Sequence, residues 1–489
     1  MIHFCLNGTW RSESQVEPSM TILRYLRTNV GQMGTKEGCA SGDCGACTVM
    51  LGEYLDGEWR YRAINSCITL LASAHGRHLV TVEGLADQSD PHHLHPVQQA
   101  MVDVHASQCG FCTPGFVMSL AVAGDQNPQA ELTEAQVIDA ISGNLCRCTG
   151  YRPIVDAGLL SHSYPSNQAQ YQSAAPPAQG LAQASLTKQQ QFCHLPTNEQ
   201  QLQDLLAQNP MARIIAGGTD LMLEQTQNFK SLPQLVGISQ VAGLNSISQS
   251  EGRVTVGCAV TYAQLETQLK DSFPAFVDLL HRLGSRQIRN QATLVGNIAN
   301  ASPIGDTPPF LLTLNAELVL ASTQAQRRVA LADFFVDYKQ TLLQPGEYIR
   351  QVEFDLPTAD FVRAYKISKR YEDDISAVLL VVRWHIADGK FSAVKIAYGG
   401  MAAIPKRALA AEQAMLGQPA CEQTVLAAAQ CVAQEFTPLS DVRASADYRL
   451  QVAKNCLHKA WLESQAQAVS VWQPAATRRT QQVFGGQNA

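Results

Sequence analysis

The amino-acid sequence predicts a multidomain α+β protein, and three observations support this prediction. The chain has 489 residues, of which 46% are hydrophobic and 16% charged, which is enough for several hydrophobic cores and about three domains. The N-terminal part combines an alternating strand pattern with helical periodicity. After a polar stretch, strands and helices alternate again. The predicted boundaries are 1–82, 83–160, a linker at 161–188, 189–360 and 361–489.

Composition restricts the classes of partner. The net charge is −6 and no long lysine or arginine run occurs, which argues against nonspecific binding to nucleic acid. The start of the chain lacks the basic and apolar segments of a signal peptide, and apolar stretches such as "AVLLVV" are too short to span a bilayer. We therefore expect a cytoplasmic protein whose fourteen cysteines are reduced rather than paired in disulfides.

The first domain is predicted to have a β-grasp-like fold. Apolar residues alternate over 2–6 as in a half-buried strand, and Asn7-Gly8 is a strong signal for a hairpin turn. Leu23 and Leu26 share one face of a predicted helix, for which Ser19 is a candidate cap.

A glycine-rich loop in this domain, "EGCASGDCGACTVM", carries a C-x4-C-x2-C pattern, and a lone cysteine follows. The four cysteines are Cys39, Cys44, Cys47 and Cys67. This is the plant-type ferredoxin spacing for a [2Fe-2S] cluster, and glycines allow backbone N–H groups to approach the anionic sulfurs. Zinc is the alternative, although zinc sites usually offer two short C-x2-C pairs.

The second domain is predicted to be all-helical, resembling a four-helix bundle, and to carry a second set of four cysteines: Cys109, Cys112, Cys146 and Cys148. Helix N-termini stabilise anionic sulfur, so helices can direct thiolates to one centre. Two close cysteine pairs also occur in zinc modules, and this alternative stays open for the segment alone.

Two helices are predicted between these cysteine pairs, from "TPGFVMSLAVAG" and "LTEAQVIDAISG". Thr113 or Thr133 are candidate caps, Pro114 lies near a first turn, and Gly124 or Gly143 are candidate stops.

Taken in order, the two cysteine sets resemble the iron–sulfur portion of the molybdenum hydroxylases, the xanthine dehydrogenase family. The motifs that carry this resemblance are C-x4-C-x2-C, "QCGFCTPG" and "NLCRCTGYRPI". The resemblance implies two [2Fe-2S] clusters. The first set of cysteines would bind the cluster nearer a flavin, and the second set would bind the cluster nearer a molybdenum cofactor. It also places Gln108 and Cys148 closest to the pterin of a partner subunit.

Two glycine-containing turns follow the linker, in "ARIIAGGTDLML" and "NQATLVGNIANASPIGD". Each could present backbone N–H groups to a phosphate, but neither is a dinucleotide-binding G-x-G-x-x-G motif, and each taken alone is better explained as an ordinary strand-to-helix turn.

The same family's FAD-binding domain resembles this α/β region, and that resemblance implies specific contacts. It assigns to the FAD phosphates and ribityl chain Ile214, Ile215, Ala216, Gly217, Gly218, Thr219, Asp220, Leu221, Thr293, Leu294, Val295, Gly296 and Asn297. It assigns to the flavin Leu283, Asp306, Ile349 and Lys366. Val295 replaces a usual glycine, Leu283 replaces an aromatic residue of some members, and without the resemblance Lys366 would be interpreted as a solvated lysine.

The last region, 361–489, resembles the C-terminal α/β flavoprotein domain of the same family. The segment "ADGK" is predicted to be a hairpin and "RRTQQVFGGQNA" a flexible tail. The histidines of "HHLH" are interpreted as a solvated loop rather than a metal site. Six further cysteines are interpreted as mostly buried hydrophobes: Cys5, Cys193, Cys258, Cys421, Cys431 and Cys456.

No catalytic side-chain cluster is evident, so bound redox cofactors are expected to carry the chemistry: two [2Fe-2S] clusters and FAD. The resemblance implies an oxidoreductase component that receives electrons from a molybdenum–molybdopterin large subunit, passes them through the second-set cluster, the first-set cluster and FAD, and delivers them to NAD during hydroxylation of hypoxanthine and xanthine to urate. A heterotetramer of two small and two large subunits is expected, because 489 residues leave no room for a molybdopterin domain.

Three alternatives remain at this point. The chain could serve another molybdenum hydroxylase acting on aldehydes or N-heterocycles, act as a free-standing NADH reductase, or be a zinc-binding interaction module.

Overall fold

A computed structural model describes residues 1–86, 94–128, 130–165, 171, 173–177, 183–357 and 360–465 of the chain. These residues form a ferredoxin-like unit, a helical unit, an α/β region with two main sheets, and a C-terminal α/β unit. The predicted α+β fold class is confirmed.

The ferredoxin-like unit is a mixed five-stranded sheet with one short helix. In sheet order its strands are Thr9–Glu13, Ile2–Leu6, His78–Val80, Thr48–Leu55 and Glu58–Asn65. The first hairpin turns at Asn7-Gly8 as predicted, with both residues at positive φ. The helix Ile22–Tyr25 continues as a π-helical turn, Leu26–Val30. Its cap is Thr21, not Ser19, because the Thr21 side chain accepts from the Arg24 N–H. Short 3₁₀ turns cover Ser66–Ile68, Leu71–Ala74 and Val82–Gly84.

The helical unit contains the helices Pro96–Asp103, Thr113–Gln126, Glu134–Ile141 and Arg152–Leu160, and a 3₁₀ turn at Ser161–Ser163. Thr133 forms a capping box with Gln136, as predicted. Thr113 lies inside its helix, whose N-cap is Cys112, and Gly124 does not stop the helix.

His95 is buried and caps the helix Pro96–Asp103, because its Nδ1 accepts from the Val97 N–H at 3.2 Å. The interpretation of "HHLH" as a solvated loop is therefore wrong for His95, while His92 and His93 lie outside the described residues.

Part of the segment predicted as a linker packs back onto the first two units. Tyr171 is buried, and its hydroxyl donates to Asp125 at 2.6 Å. The indole N–H of Trp59 donates to the Ala174 carbonyl, and that of Trp10 to the Ala175 carbonyl. The last part of the segment, Ala184–Lys188, is a strand of the following sheet.

The α/β region has two main sheets. The first has the order Ala184–Lys188, Gln191–Leu195, Gln234–Gly237, Arg213–Ile215. The second has the order Ile247–Ser250, Arg253–Gly257, Tyr348–Asp355, Glu317–Ala321, Gln326–Ala330. A small ribbon pairs Phe335–Asp337 with Gln340–Thr341. The helices are Glu199–Gln208, Leu221–Thr226, Tyr262–Leu269, Pro274–His281, Arg286–Arg289, Leu294–Ala299, Thr307–Thr313 and Leu331–Phe334.

The C-terminal unit packs helices on an antiparallel sheet. Its strands are Phe361–Ile367, Val378–Ala387, Lys390–Gly399 and Lys406–Arg407, and its helices are Leu409–Met415, Glu422–Glu435 and Ala446–Ser464. The "ADGK" hairpin is confirmed, because Ala387 pairs with Lys390. The predicted flexible tail lies outside the described residues. Among the described helices, none is both long and apolar enough to cross a bilayer.

Candidate cofactor-binding sites

The first set of cysteines is arranged as two thiol pairs. The Sγ atoms of Cys47 and Cys67, both buried, lie 3.3 Å apart, and the half-buried Cys39 and Cys44 hydrogen-bond to each other. The bond from Cys44 lowers the pKa of Cys39 to about 4, and the bond with Cys67 lowers the pKa of Cys47. The pKa of the other thiol in each pair is raised. One member of each pair is thus favoured as a thiolate, the form that binds metal.

One backbone N–H and one side-chain amide are directed at these sulfurs, and a glycine in the loop allows a close contact with the helical unit. The Ser41 N–H donates to Cys39 Sγ at 3.4 Å, and Asn65 Nδ2 lies 3.9 Å from Cys47 Sγ. Gly45 has a φ of +67°, and a Cβ there would lie 2.3 Å from the Gly143 carbonyl oxygen. Only glycine at position 45 therefore lets this loop contact the helical unit.

The second set of cysteines is paired in the same way but lies nearer the surface. Cys112 hydrogen-bonds to Cys146, and Cys109 to Cys148, with Cys109 and Cys148 exposed. Burial raises the pKa of Cys112 to about 12. Burial also raises the pKa of Cys146, but hydrogen bonds from Thr149 outweigh this and lower it. Gln108, predicted to lie nearest the partner's pterin, is exposed beside Cys109.

The donor sets fit [2Fe-2S] clusters. Each set consists of four thiols in two pairs, and a diiron cluster needs two thiolates on each of two irons. Backbone or hydroxyl donors also reach Cys39 and Cys146, as anionic sulfur requires. In the described part of the chain, no group of three or more His, Cys, Asp or Glu side chains is arranged to hold a single metal ion.

The first predicted FAD-phosphate segment lies against the residues that precede the second one. The first turns between the strand Arg213–Ile215 and the helix Leu221–Thr226, with Gly218 at a φ of +76°. A Cβ on Gly217 would lie 1.9 Å from the carbonyl oxygen of Gln291, two residues before Thr293. The first segment can approach these residues this closely only because position 217 is glycine.

The second segment, 293–297, is a helix start rather than a glycine turn. Thr293 caps the helix Leu294–Ala299, because its hydroxyl accepts from the Gly296 N–H at 3.0 Å. Val295 is buried in the first turn of this helix. A helical backbone does not require glycine at position 295, so valine is compatible with this conformation.

Asp306 and Lys366, both predicted to contact the flavin, form a buried ion pair. Lys366 Nζ lies 2.5 Å from Asp306 Oδ2, with side-chain exposures of 2% and 7%. The expectation of a solvated lysine, formed from the sequence without the resemblance, is therefore wrong. Asn297 links the second FAD-phosphate segment to the residue next to Asp306, because its Oδ1 accepts from the Thr307 hydroxyl at 2.7 Å.

Ser376 belongs to this group but is absent from the predicted site. Its hydroxyl donates to Asp306 Oδ1 at 2.5 Å and accepts from Lys366 Nζ at 3.1 Å. Ser376 lies just before the strand that pairs antiparallel with the Lys366 strand. That hairpin pairing is the only sequence signal that could have placed it near Lys366.

The remaining predicted flavin contacts are apolar. Ile349 is buried and belongs to the same core cluster as Leu294 and Val295, and half-buried Leu283 packs against that cluster. Leu294, Val295, Ile349 and Leu283 thus share one core, while Ile215 belongs to a second core and Lys366 reaches Asp306 from the C-terminal unit. Of the six cysteines outside the two sets, four are buried, as predicted, and Cys421 and Cys431 are half-buried.

Four protein-family models match successive parts of the chain. They describe a 2Fe-2S iron–sulfur cluster binding domain at 4–72, a [2Fe-2S] binding domain at 81–159, an FAD binding domain in molybdopterin dehydrogenase at 187–358, and a CO dehydrogenase flavoprotein C-terminal domain at 363–464.

Similar curated proteins include xanthine dehydrogenase of Drosophila subobscura, 32% identical over 94% of this chain and 39% of that protein, and xanthine dehydrogenase/oxidase of Mus musculus, 32% identical over 82% and 34%. The chain thus spans about two fifths of the length of the first of these relatives.

Similar solved structures include quinoline 2-oxidoreductase from Pseudomonas putida 86, with a TM-score of 0.52 and 29% identity over 56% of this chain and 96% of that chain. Carbon monoxide dehydrogenase from Hydrogenophaga pseudoflava has a TM-score of 0.54 and 24% identity over 58% and 99%, which shows the fold alone.

Proposed function

We propose that this chain, an iron–sulfur/FAD component of the molybdenum hydroxylase family, is the electron-transfer subunit of a heteromeric xanthine dehydrogenase. In this proposal a separate molybdenum-binding large subunit hydroxylates hypoxanthine and xanthine to urate, NAD is the final acceptor, and two copies of each subunit form a heterotetramer. The similarity to xanthine dehydrogenases over 94% of this chain supports this choice of substrate.

The observation that carries the proposal is that three candidate cofactor sites contact one another within one chain. The Leu145 N–H donates to the Cys44 carbonyl at 2.9 Å, which joins the second cysteine loop to the first. Thr69, two residues after Cys67, hydrogen-bonds to Gln291 at 2.6 Å, and Gln291 lies against Gly217. Contact between neighbouring cofactor sites is what electron transfer from one cofactor to the next requires, and a chain that only binds separate cofactors does not need it.

When bound, the clusters supply one-electron transfer and FAD exchanges either one or two electrons, so that together they couple a hydroxylation to a nicotinamide. The two cysteine sets would hold the clusters. Residues 214–221 and the start of the helix Leu294–Ala299 would bind the FAD phosphates through backbone N–H groups. The Lys366–Asp306 pair would present a fixed charge arrangement to the flavin.

A second candidate is an N-heterocycle dehydrogenase subunit. It is favoured by the 29% identity to quinoline 2-oxidoreductase across 96% of that chain. Activity measurements on hypoxanthine, xanthine and quinoline with the copurified large subunit separate the two candidates, and preference for quinoline would reject the xanthine proposal.

The test begins with anaerobic purification and metal and flavin analysis. We expect about four irons and one FAD per chain, since each [2Fe-2S] cluster uses four cysteines. Cys148→Ser should reduce the iron content by about half, abolish substrate-driven flavin reduction and leave NADH-driven reduction intact. Cys431→Ser, a half-buried cysteine outside both sets, is the matched control and should keep all the iron.

Three outcomes would contradict the proposal. Zinc in place of iron would reject the cluster assignment. Equal loss of both reduction activities in Cys148→Ser would reject the order of carriers. A preparation that reduces a soluble acceptor with NADH but never copurifies with a molybdenum-containing chain would favour the free-standing reductase.

A further inference from the structure

One turn of the FAD-binding region packs against both cysteine-bearing units. It contains the short helix Arg286–Arg289, capped by the Ser285 hydroxyl, which accepts from the Ile288 N–H at 3.2 Å. A Cβ on Gly42, in the first cysteine loop, would lie 3.0 Å from Ile288. Asn290 donates to the Ala63 carbonyl at 2.9 Å. A Cβ on Gly143, in the helical unit, would lie 2.3 Å from the Ser285 side chain, so the turn lies at the junction of three units.

Gln287 occupies the centre of this junction and has no exposed surface. Its Nε2 lies 3.0 Å from Asn144 Oδ1, 3.1 Å from Ser119 Oγ and 3.3 Å from Thr48 Oγ1. Thr48 directly follows Cys47, and Asn144 lies two residues before Cys146. One amide group of the FAD-binding region therefore contacts side chains that lie next to both cysteine sets in the sequence.

The donors and acceptors of this network are mutually consistent. Thr48 Oγ1 donates to the Gly45 carbonyl at 2.6 Å, and Ser119 Oγ donates to Asn144 Oδ1 at 2.7 Å. Asn144 Nδ2 donates to the Gly45 carbonyl at 3.0 Å. The hydroxyl protons are thus used elsewhere, and Thr48 and Ser119 are left to accept from Gln287. Gln287 is therefore held through its Nε2 alone, because its Oε1 is buried and has no hydrogen-bond partner among the described residues. The Nε2 contacts fix the orientation of this amide.

Close packing leaves this network little freedom to shift. A Cβ on Gly143 would lie 2.3 Å from Gln287 Oε1, and a Cβ on Gly115 would lie 2.2 Å from the Gly45 carbonyl oxygen. The turn itself is held by a buried ion pair, because Arg289 Nε lies 2.7 Å from Glu266 Oε1. Arg289 also donates to the Gly284 carbonyl at 2.7 Å.

We propose that Gln287 is a positioning residue that fixes the separation of the two cluster sites. The inference rests on the proposed function and adds a role for the FAD-binding region, which would then control the electronic coupling between two centres that it does not itself bind. The contact that Gln287 would hold in place is the 2.9 Å hydrogen bond from the Leu145 N–H to the Cys44 carbonyl, which lies beside the network.

The test compares Gln287→Met, which keeps the side-chain volume but removes the amide, with Gln200→Met, the same change at an exposed helix position of the same region. Two readouts are used. Low-temperature electron paramagnetic resonance of the reduced holoprotein measures the magnetic splitting between the two clusters, which depends on their separation. Hydrogen exchange measures the protection of the Leu145 amide.

We expect Gln287→Met to keep its iron and FAD, to lose most of the inter-cluster splitting, and to exchange the Leu145 amide at least tenfold faster, while Gln200→Met matches the unsubstituted protein. Unchanged splitting and unchanged exchange in Gln287→Met would overturn the proposal, because a residue that only fills space is replaced by methionine without such effects.

Ser119→Ala covers the case in which Gln287→Met fails to fold or loses iron. It removes one hydrogen-bond acceptor from the helical unit with a minimal change of volume. As for Gln287→Met, reduced splitting and faster exchange of the Leu145 amide would support the proposal, and no change in either would overturn it. If the unsubstituted protein contains no iron, the proposed function fails, but the exchange of the Leu145 amide in the metal-free chain still tests whether Gln287 holds the junction.

Discussion

Replacing Lys366 by methionine should destabilise the C-terminal sheet and its contact with the FAD-binding region by about 3 kcal/mol. The change leaves the Asp306 carboxylate buried without its cation, and removing one partner of a buried ion pair typically costs about 3–5 kcal/mol. The Ser376 hydroxyl still donates to Asp306 at 2.5 Å. That bond keeps the expected loss at the lower end of the range.

The assay is native-state hydrogen exchange of the strands Phe361–Ile367 and Val378–Ala387, because a multidomain chain need not unfold in one step. The amide of Ala377, which donates to the Ile367 carbonyl at 2.8 Å, lies next to Ser376 and should report the loss directly. Lys369→Met is the matched control, since this lysine is exposed, and it should change stability by less than about 0.5 kcal/mol.

A double variant distinguishes the loss of the ion pair from the loss of packing. Lys366→Met combined with Asp306→Asn removes both charges and keeps a group that can bond to Ser376, so it should recover at least about 2 kcal/mol relative to Lys366→Met. A Lys366→Met variant as stable as Lys369→Met, or a double variant less stable than the single one, would refute the assignment of a structural role to this buried charge pair.

Two further predictions concern the binding of FAD and the pH dependence of stability. Gly217→Ala should lose FAD during gel filtration while retaining its iron, because the added Cβ meets the Gln291 carbonyl oxygen at 1.9 Å. Gly124→Ala is the control, since a Cβ there meets nothing within 4 Å. It should retain both FAD and iron and gain about 0.5–1 kcal/mol of stability. Burial lowers the pKa of His95 to about 4 from an ordinary value of 6.5. Because the unfolded chain then binds the proton more readily than the folded one, the stability of the fold should fall as the pH drops from 6.5 towards 4. The loss from His95 is up to about 1.4 kcal/mol per pH unit. His95→Ser keeps a capping side chain without a titrating ring and should remove the His95 share of this slope in urea unfolding curves measured between pH 4 and pH 7. Part of the slope should remain, because burial also lowers the pKa of His78 to about 4, and a slope that does not change at all would refute the assignment to His95.

The features that could be predicted from the sequence are those encoded by short-range spacing. The cysteine patterns predicted two sets of thiols, and the structure pairs the thiols within each set. The first hairpin was predictable because Asn and Gly at its turn both adopt positive φ. The Thr133 cap was predictable because a glutamine lies three residues later.

The misassigned caps show where local signals are insufficient. Ser19 and Thr21 are both chemically suitable, but Thr21 also forms a β-bridge with Leu70, which fixes where the helix begins. His95 has few sequence signals of burial, since it lies in a polar run beside two other histidines. Contacts made by residues distant in sequence determine both outcomes.

The groups missed by sequence reasoning are those that join units. Gln287 bonds to Thr48, 239 residues away, and to Asn144, 143 residues away. No local pattern marks such a residue, because its partners become neighbours only when three units pack together. The buried state of Lys366 is a similar case, since it depends on Asp306, 60 residues earlier.

The hydrophobic cores cross the same unit boundaries as these polar contacts, which has a consequence for how the chain functions. Buried residues of the ferredoxin-like unit share one core cluster with Leu186, Ile215 and Leu235 of the FAD-binding region. A fragment that stops before position 184 would expose that apolar surface and would leave Thr48, Ser119 and Asn144 without the amide of Gln287. The packing of the cysteine-bearing units therefore depends on the FAD-binding region.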